Sequence, residues 1–288
     1  MPAAPAAATT PATTVASTTT IPAAPPSDIV SASPFQYRLD WAAGVFQVRL
    51  HNGGADALAI RGVQFVWDGF TTTIAERHDT VVPGLTLDFP VPIAPATCHA
   101  LMPDPASAIV RLTLEGGSVL DVPVFDVDGV AQQLYLDDCE RQMIESQVSI
   151  DWADLGDEQF EGRTVTGGSI RLVRGEASGE VRLVSISNTV LFVVDTPRSR
   201  PGEAIATLPV GEDEVTVPIR ILENRCDSHA RSESSQSFRF FGEVDLGDGA
   251  VHQYTILPTP DDQVQIRARF EAGCAALGDT GFVGQDDQ

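Results

Sequence analysis

The sequence predicts an all-β protein made of two antiparallel β-sandwiches in tandem, each with one disulfide, after a disordered N-terminal leader. Three observations lead to this prediction. Short runs of alternating apolar and polar residues are separated by turn signals, the order of motifs restarts near residue 148, and four cysteines fall two in each half. A chain of 288 residues is long enough for two domains that each bury a core.

The charge balance of the chain excludes several classes of partner. The formal net charge is −22, and all basic residues are arginine, so lysine chemistry such as Schiff-base formation is excluded. An acidic surface repels phosphate backbones and anionic headgroups, so we expect neither nucleic-acid nor electrostatic membrane binding. No stretch approaches the roughly 20 apolar residues of a membrane span. Cations, basic proteins and neutral glycans remain as partners.

Residues 1–34 are almost entirely Ala, Thr, Pro and Ser. Such a segment has few large apolar side chains to bury, and we expect a disordered tether or an unmodified disordered tail. The N-terminus of this sequence lacks a basic region followed by an apolar core, so we expect no signal peptide within it. Because disulfides persist in exported proteins, we expect an extracellular or cell-envelope protein from which an export or lipoprotein signal, with any lipid anchor, has been removed.

The first sandwich is predicted over residues 35–146. Alternation is clearest in 46–50, 63–67 and 110–114, where β-branched and aromatic residues recur at every second position. Turn signals such as Asn52-Gly53-Gly54 lie between these runs. A short helix is predicted only over 137–144, at the domain junction.

The second sandwich is predicted over residues 147–276, followed by a flexible acidic tail at 277–288. The prediction of a repeat depends on four pairs of similar motifs, called anchors, that occur in the same order in the two halves. Strands are predicted at 215–221 and 264–270, and an insertion at about 154–168. The anchors pair Leu39-Asp40-Trp41-Ala42 with Ile150-Asp151-Trp152-Ala153, Gln47-Val48-Arg49-Leu50 with Ser169-Ile170-Arg171-Leu172, Pro83-Gly84 with Pro201-Gly202, and Cys98-His99-Ala100 with Cys226-Asp227-Ser228-His229-Ala230.

This pattern of strands resembles the immunoglobulin-like and fibronectin-III-like folds, used in tandem over about residues 35 to 275. The Cys…Trp…Cys order of antibody domains is absent, since Trp41 and Trp152 precede both cysteines of their halves. The Cys-x-x-His-Ala element resembles one in uncharacterised secreted or lipoprotein-type proteins of GC-rich bacteria. That resemblance implies no activity.

The four cysteines are expected to form structural disulfides, Cys98 with Cys139 and Cys226 with Cys274. Four cysteines allow three connectivities, and two cysteines per half favour pairing within each half. No Cys-x-x-Cys pair is present, which leaves a redox motif or zinc knuckle without support. Each bridge would tie the last strand or its tail to the body of its domain.

Two histidines next to cysteines are candidate functional residues. His99 and His229 could contribute to a metal or ligand site with Asp227 or another carboxylate. Alternatively, each imidazole hydrogen-bonds a backbone carbonyl and orders the loop beside the disulfide. A transition-metal site needs three or four convergent ligands, and the sequence contains no His-x-His or His-x₃-His pair.

Acidic clusters suggest calcium as a second kind of ligand. One cluster lies at the expected domain junction and is a candidate calcium site. It consists of Asp151, Asp154, Asp157 and Glu158. Asp126-x-Asp128-Gly129 is a fragment of a calcium-loop pattern, and Asp261-Asp262 falls where a hairpin turn is expected. Solvated turn charge is the alternative for each of these clusters.

The sequence contains no catalytic motif such as Gly-x-Ser-x-Gly or His-Glu-x-x-His. We therefore expect a non-enzymatic interaction module without a cofactor, which binds an envelope or extracellular protein or a glycan. The alternatives are a metal-binding envelope protein and, more weakly, a hydrolase that uses dispersed carboxylates. The oligomeric state is not predicted.

Overall fold

The computed structural model describes residues 29–196, 202–234 and 236–277. The first half of the chain forms β1 Val30–Phe35, α1 Asp40–Ala43, β2 Val45–Asn52, β3 Leu58–Trp67, β4 Phe70–Thr71, β5 Ala75–Val81, β6 Thr86–Pro92, a 3₁₀ turn at Pro105–Ser107, β7 Ile109–Leu114, β8 Val119–Pro123 and α2 Val130–Gln147. The long helix α2 thus follows the last strand of this half, and the strands form two sheets.

The two sheets of the first half face each other across an aromatic core. One sheet has the order β1-β2-β6 and the other β4-β3-β7-β8, with β5 also paired to β3. Phe46 of β2 contacts Phe65 of β3 edge-on, with ring centroids 5.5 Å apart. Both rings are completely buried, as expected when the inward faces of two sheets interdigitate.

The second half repeats this plan, with a longer first hairpin. It forms β9 Val148–Phe160, β10 Arg163–Arg174, β11 Val181–Ile186, β12 Phe192–Asp195, β13 Ala206–Leu208, β14 Glu214–Glu223, α3 Ser228–Glu233, β15 Phe240–Asp245, β16 Val251–Ile256 and α4 Pro260–Leu277. Its sheets have the orders β12-β14-β10-β9 and β13-β11-β15-β16. The expected insertion at 154–168 is the outer part of the hairpin formed by β9 and β10.

The strand order in both halves is that of an immunoglobulin-like sandwich. In each half the first two strands share a sheet with the strand before the cysteine loop, β6 or β14, and the remaining long strands form the second sheet. All strand ladders described are antiparallel. The predicted antiparallel, immunoglobulin-like fold with one disulfide in each half is therefore confirmed.

Two separate hydrophobic cores lie on either side of α2. One core contains buried residues from Ala32 to Tyr135, and the other contains buried residues from Ile144 to Cys274. The α2 helix runs directly into β9, so no loop separates the halves. The division into two independently folding domains stays a prediction, and so do its bounds.

The first strand begins earlier than expected. The predicted leader extends to residue 34, but Val30–Phe35 forms β1 and pairs along its whole length with β2. The prediction is wrong for residues 30–34, because alternate side chains there, Ala32 and Pro34, are buried and offset the low hydrophobicity of the segment. Residues 1–28, the anchor Pro201 and the tail at 278–288 lie outside the described residues.

The helices are longer than the sequence pattern indicated. The predicted short helix at 137–144 is the C-terminal part of the 18-residue α2. The predicted strand at 264–270 is wrong, because it lies inside α4. The residues buried on α4 are Ile266, Phe270 and Cys274, a spacing of four that matches one helix face, whereas the alternating Val264 is 70% exposed.

Two acidic pairs belong to helix starts. Asp126 accepts hydrogen bonds from the backbone N–H groups of residues 130, 131 and 132 at the start of α2. Asp262 accepts a bond from the Thr259 backbone N–H, and Thr259 Oγ1 accepts one from the Asp262 N–H. This reciprocal arrangement is a capping box. The expected hairpin turn at Asp261-Asp262 is therefore the first turn of α4.

Candidate functional site

The two disulfides occupy equivalent places in the two halves. Cys98 lies in the loop after β6 and bonds Cys139 of α2, and Cys226 follows β14 and bonds Cys274 of α4. The predicted pairing is confirmed, although each bridge reaches a helix after the last strand. Each helix is thereby covalently fixed against its sandwich.

The His99 loop is held on α2 by polar contacts. The backbone N–H of His99 donates to the Tyr135 hydroxyl at 2.9 Å, and its Nε2 lies 3.3 Å from the carbonyl oxygen of Asp68. This contact with a backbone carbonyl agrees with the structural interpretation of His99, in which the imidazole orders the loop beside the disulfide. Among the residues that the structure describes, no group of three or more His, Cys, Asp or Glu side chains is placed to hold a metal ion.

Asp227 and His229 lie at the start of α3. Asp227 is the N-cap and accepts a hydrogen bond from the Ala230 N–H at 2.9 Å, and it pairs with Arg225. The Ala230 N–H and the Arg225 guanidinium hold the pKa of the Asp227 carboxyl below its ordinary value. His229 lies on the exposed side of α3. These contacts give Asp227 a capping role.

The acidic cluster of Asp151, Asp154, Asp157 and Glu158 is distributed along β9. Asp157 pairs with Arg269 of α4, whereas Glu158 pairs with Arg220 of β14 at 2.7 Å. Successive side chains of a strand point to opposite faces of the sheet, so these two carboxylates do not converge. The structure does not assemble the cluster into one site.

Asp151 and Asp154 have separate local roles on the same strand. Asp151 accepts a hydrogen bond from the Ser149 hydroxyl at 3.0 Å. Asp154 adopts a left-handed backbone conformation with φ 53°. It lies where the β9–β10 ladder shifts register, which is the geometry of a β-bulge.

A surface groove, which the sequence analysis missed, lies where α2 meets the segment between β1 and β2. We call it the junction groove. It has a volume of about 420 Å³ and is lined by Gln36, Trp41, Asp128, Gly129, Val130, Gln132, Gln133, Leu134 and Leu136. A second gap, beneath α4, has no room for a water molecule. The junction groove is therefore the better candidate for ligand binding.

Unpaired polar groups distinguish the junction groove from the core. The indole N–H groups of Trp67 and Trp152 donate to backbone carbonyls at 3.0 and 3.5 Å. Within the described part of the chain, neither the Trp41 indole N–H nor the Gln132 side-chain amide has a hydrogen-bond partner. Buried polar groups are normally paired. These two groups are unpaired and only half-buried, so a ligand can reach them and bond to them.

Residues of the second half contact the segment that carries Trp41. The guanidinium carbon of Arg239 lies 5.1 Å from the ring centroid of Trp41 and 5.4 Å from that of Phe241. Burial lowers the pKa of Arg239 below its ordinary value. The side-chain amide of Gln236 donates to the Arg38 carbonyl oxygen at 3.3 Å. Both halves therefore contribute to the surface around Trp41.

The N-terminal end of α2 is fixed by Asp126. This carboxylate accepts three backbone N–H bonds, while burial raises its pKa above the ordinary value of an aspartate. Calcium-loop chemistry is not needed to explain this residue. The cap holds the helix turn that carries Val130 and Gln132 in the wall of the groove.

The two tryptophans of the Asp-Trp-Ala repeat are not structurally equivalent. Trp41 lies in α1 between β1 and β2, whereas Trp152 lies within β9 and contacts Phe240 in the core, with centroids 4.8 Å apart. That anchor of the predicted duplication is therefore wrong. The sequence around Trp41 carried no signal for the groove, and only the structure shows that Tyr37 and Leu39 before it are 46% and 66% exposed.

Comparisons with known proteins give no family for this chain. No family model matches it, and no curated protein does. Solved structures similar to it include a protein of unknown function from Porphyromonas gingivalis W83, with 12% identity over 79% of this chain and 96% of that chain and a TM-score of 0.21. Another is CBD12 from CALX1.2, with 13% identity over 75% and 79% and a TM-score of 0.18.

A third similar structure is Spo0M, a sporulation control protein from Bacillus subtilis. It shares 14% identity over 86% of this chain and 96% of that chain, with a TM-score of 0.16. At these TM-scores none of the three supports a functional argument. In the described residues, no helix combines the length and apolar character needed to cross a membrane.

Proposed function

We propose that this protein is an exported, non-enzymatic interaction module of the cell envelope or extracellular space, and that it contacts a protein or glycan partner through the junction groove. The observation that carries the proposal is the groove itself. It combines about 420 Å³ of open volume with Trp41 and Leu136, and aromatic side chains are enriched at binding hot spots.

The rigidity of the groove walls supports the same proposal. The Cys98–Cys139 disulfide fixes the middle of α2, and Asp126 fixes its start. A preorganised surface loses less conformational entropy when a partner binds. The two disulfides also support export, because such bonds persist in oxidising compartments.

Ion pairs between carboxylates and arginines inside the fold support a non-enzymatic role. The half-buried carboxylate of Asp88 is paired bidentately with Arg49, and the buried Glu223 is paired with Arg163 at 2.7 Å. Such pairs organise the sheets and helices. The metal-binding and hydrolase alternatives stay predictions, since no contact in the described residues favours either of them.

Site-specific photo-cross-linking in the native host tests the proposal. A benzophenone amino acid replaces Leu136, which lines the groove and is 44% exposed, and in a matched control it replaces Val264 of α4, which is 70% exposed. We expect a defined adduct from position 136 alone, with the captured molecule identified by mass spectrometry and its binding reproduced with purified components. Equal adducts from both positions, or none from position 136, would overturn the proposal.

A further inference from the structure

We infer that the junction groove takes a peptide segment of a partner protein, with an apolar anchor side chain flanked by Lys or Arg. This inference rests on the proposed function and names the kind of partner. It follows from three properties of the groove, namely its apolar floor, its unpaired hydrogen-bonding groups and the charge of its rim.

The floor of the groove fits one or two apolar side chains. Trp41, Leu134 and Leu136 line it together, and the volume of about 420 Å³ lies at the lower end of the roughly 300–1,000 Å³ typical of ligand pockets. Tyr37 and Leu39 are exposed on the segment that leads into Trp41. Burial of an apolar anchor here removes several exposed apolar groups from water at once.

The unpaired polar groups match a peptide backbone. An extended peptide presents carbonyl acceptors and N–H donors in alternation. The Trp41 indole N–H can donate to a carbonyl, and the Gln132 side-chain amide can both donate and accept. The described residues satisfy neither group, so a bound peptide gains these hydrogen bonds without breaking others inside the protein.

The charge of the rim favours cationic flanks. Asp128 lines the groove and Asp137 follows Leu136 on α2. The cations beside them are the exposed Arg38 on the opposite segment and Arg239 on the Trp41 ring, whose charge interacts with that of Asp137, so the wider field of the chain sets the preference. The whole chain carries −22. This field attracts Lys and Arg and accelerates their approach.

The position of Arg239 argues against a saccharide as the ligand. Sugar rings that bind tryptophan need an open ring face, and the Arg239 guanidinium lies over the Trp41 ring at 5.1 Å from its centroid. The guanidinium covers one face of the ring, and the indole N–H has no hydrogen-bond partner among the described residues. An edge that donates one hydrogen bond suits a backbone carbonyl.

The test uses a random dodecapeptide library displayed on phage and panned against the full, disulfide-bonded chain. Recovered peptides are synthesised with a fluorophore, and their Kd values are measured by anisotropy for the wild type, Trp41→Phe, Gln132→Ala and Asp128→Asn. The control is Gln265→Ala, the same change at an exposed position of α4 that makes no side-chain hydrogen bond among the described residues.

We expect peptides with an apolar residue flanked by Lys or Arg. Gln132→Ala and Trp41→Phe should each raise Kd about 3- to 10-fold, since each deletes about one hydrogen bond while keeping the fold. Asp128→Asn should reduce the salt dependence of binding, and Gln265→Ala should leave Kd unchanged. These results together support the inference.

Two outcomes would overturn it. One is recovery of no peptides, or of peptides whose Kd is indifferent to Gln132→Ala and Trp41→Phe. The other is binding on a glycan array that these two variants abolish, which would replace the peptide with a glycan and leave the proposed function intact. The photo-cross-linking experiment tests the proposed function separately, and equal adducts at positions 136 and 264 would show that the proposed function itself is wrong.

Discussion

Nδ1 of His252, on β16, lies 3.2 Å from Oε1 of Glu140, on α2. Its Nε2 lies 2.9 Å from Asp248, so one ring connects the helix of the first half with a strand and a turn of the second. The neighbouring Tyr254 hydroxyl donates to Glu145 at 3.2 Å. Burial and the charge of Glu145 raise the pKa of Tyr254 to about 12.

This contact predicts that the junction is more stable at acidic pH. Burial alone would lower the pKa of His252, but its bonds to Asp248 and Glu140 raise it above the ordinary value. A raised folded-state pKa gives stability that is fully present below about pH 6.5, the unfolded value, and is lost as the pH rises through the folded value. Protonation lets both ring nitrogens donate to carboxylates.

Thermal unfolding between pH 5 and 8 measures this effect. We expect Tm to fall as the pH rises above about 6.5, and His252→Gln to remove a component on the order of 1–3 °C. The shift is small because Glu140 and Asp248 are 41% and 49% exposed and therefore screened by solvent. Arg141, which pairs with Glu145 and Asp138, stays charged throughout. Identical pH profiles for the two proteins would contradict the prediction.

Loss of the Cys98–Cys139 disulfide should destabilise the first half. The cysteines are 41 residues apart, and the chain-entropy estimate for such a loop is about 4 kcal/mol. We expect Cys98→Ala/Cys139→Ala to lower the free energy of unfolding by about 2–4 kcal/mol in urea, and to increase amide hydrogen exchange in the His99 loop. The Cys226→Ala/Cys274→Ala pair is the control, since it should leave exchange in that loop unchanged.

A glycine in α4 should not tolerate a methyl group. A Cβ added at Gly273 would lie 1.8 Å from Oε1 and 2.5 Å from Cδ of Glu223. Glu223 is 3% exposed and paired with Arg163, so its side chain cannot move without breaking a buried ion pair. Gly→Ala in a helix normally gains about 1 kcal/mol, but this clash should outweigh the gain.

Urea denaturation of Gly273→Ala measures which effect dominates. We expect a net loss of about 1–3 kcal/mol in the free energy of unfolding. Gln265→Ala on the same helix serves as the control and should change stability by less than about 0.5 kcal/mol. A stabilised Gly273→Ala protein would show that Glu223 can move aside without cost.

The sheets could be predicted from the sequence because their signal is local. Val48 and Leu50 alternate with Gln47 and Arg49, and the structure buries both apolar residues completely. The α4 helix misled the same rule, because Val264, Ile266 and Ala268 alternate by coincidence on a helix. The capping box at Thr259 and Asp262 was the signal that could have decided it.

The groove could not be predicted, because it depends on contacts between distant segments. Nothing in the sequence near Trp41 places Leu136 or Arg239 beside it, and the similar motif at Trp152 forms core instead. The histidines next to the cysteines are the opposite case, since a sequence motif suggested a site that the structure does not assemble. Their spacing is conspicuous in the sequence, yet His99 contacts the carbonyl of Asp68.

The position of Arg239 between Trp41 and Phe241 predicts a spectroscopic response. Truncation in Arg239→Ala removes the cation–π contacts, which contribute about 0.5–2 kcal/mol, and opens the indole to solvent. We therefore expect stronger acrylamide quenching of Trp41, measured as the difference between each protein and its Trp41→Phe counterpart. The other two tryptophans are buried and cancel in that difference.

Arg267→Ala is the matched control for this response. Arg267 lies over the Phe238 ring at 5.1 Å, the same kind of contact, but both residues belong to the second half. Its loss should lower stability by a similar amount, because one cation–π contact is removed in each case. Quenching of Trp41 should not change, because the ring under Arg267 is Phe238 and not Trp41. If Arg267→Ala and Arg239→Ala increased quenching equally, general loosening of the fold, and not the Arg239 bridge, would control the exposure of Trp41.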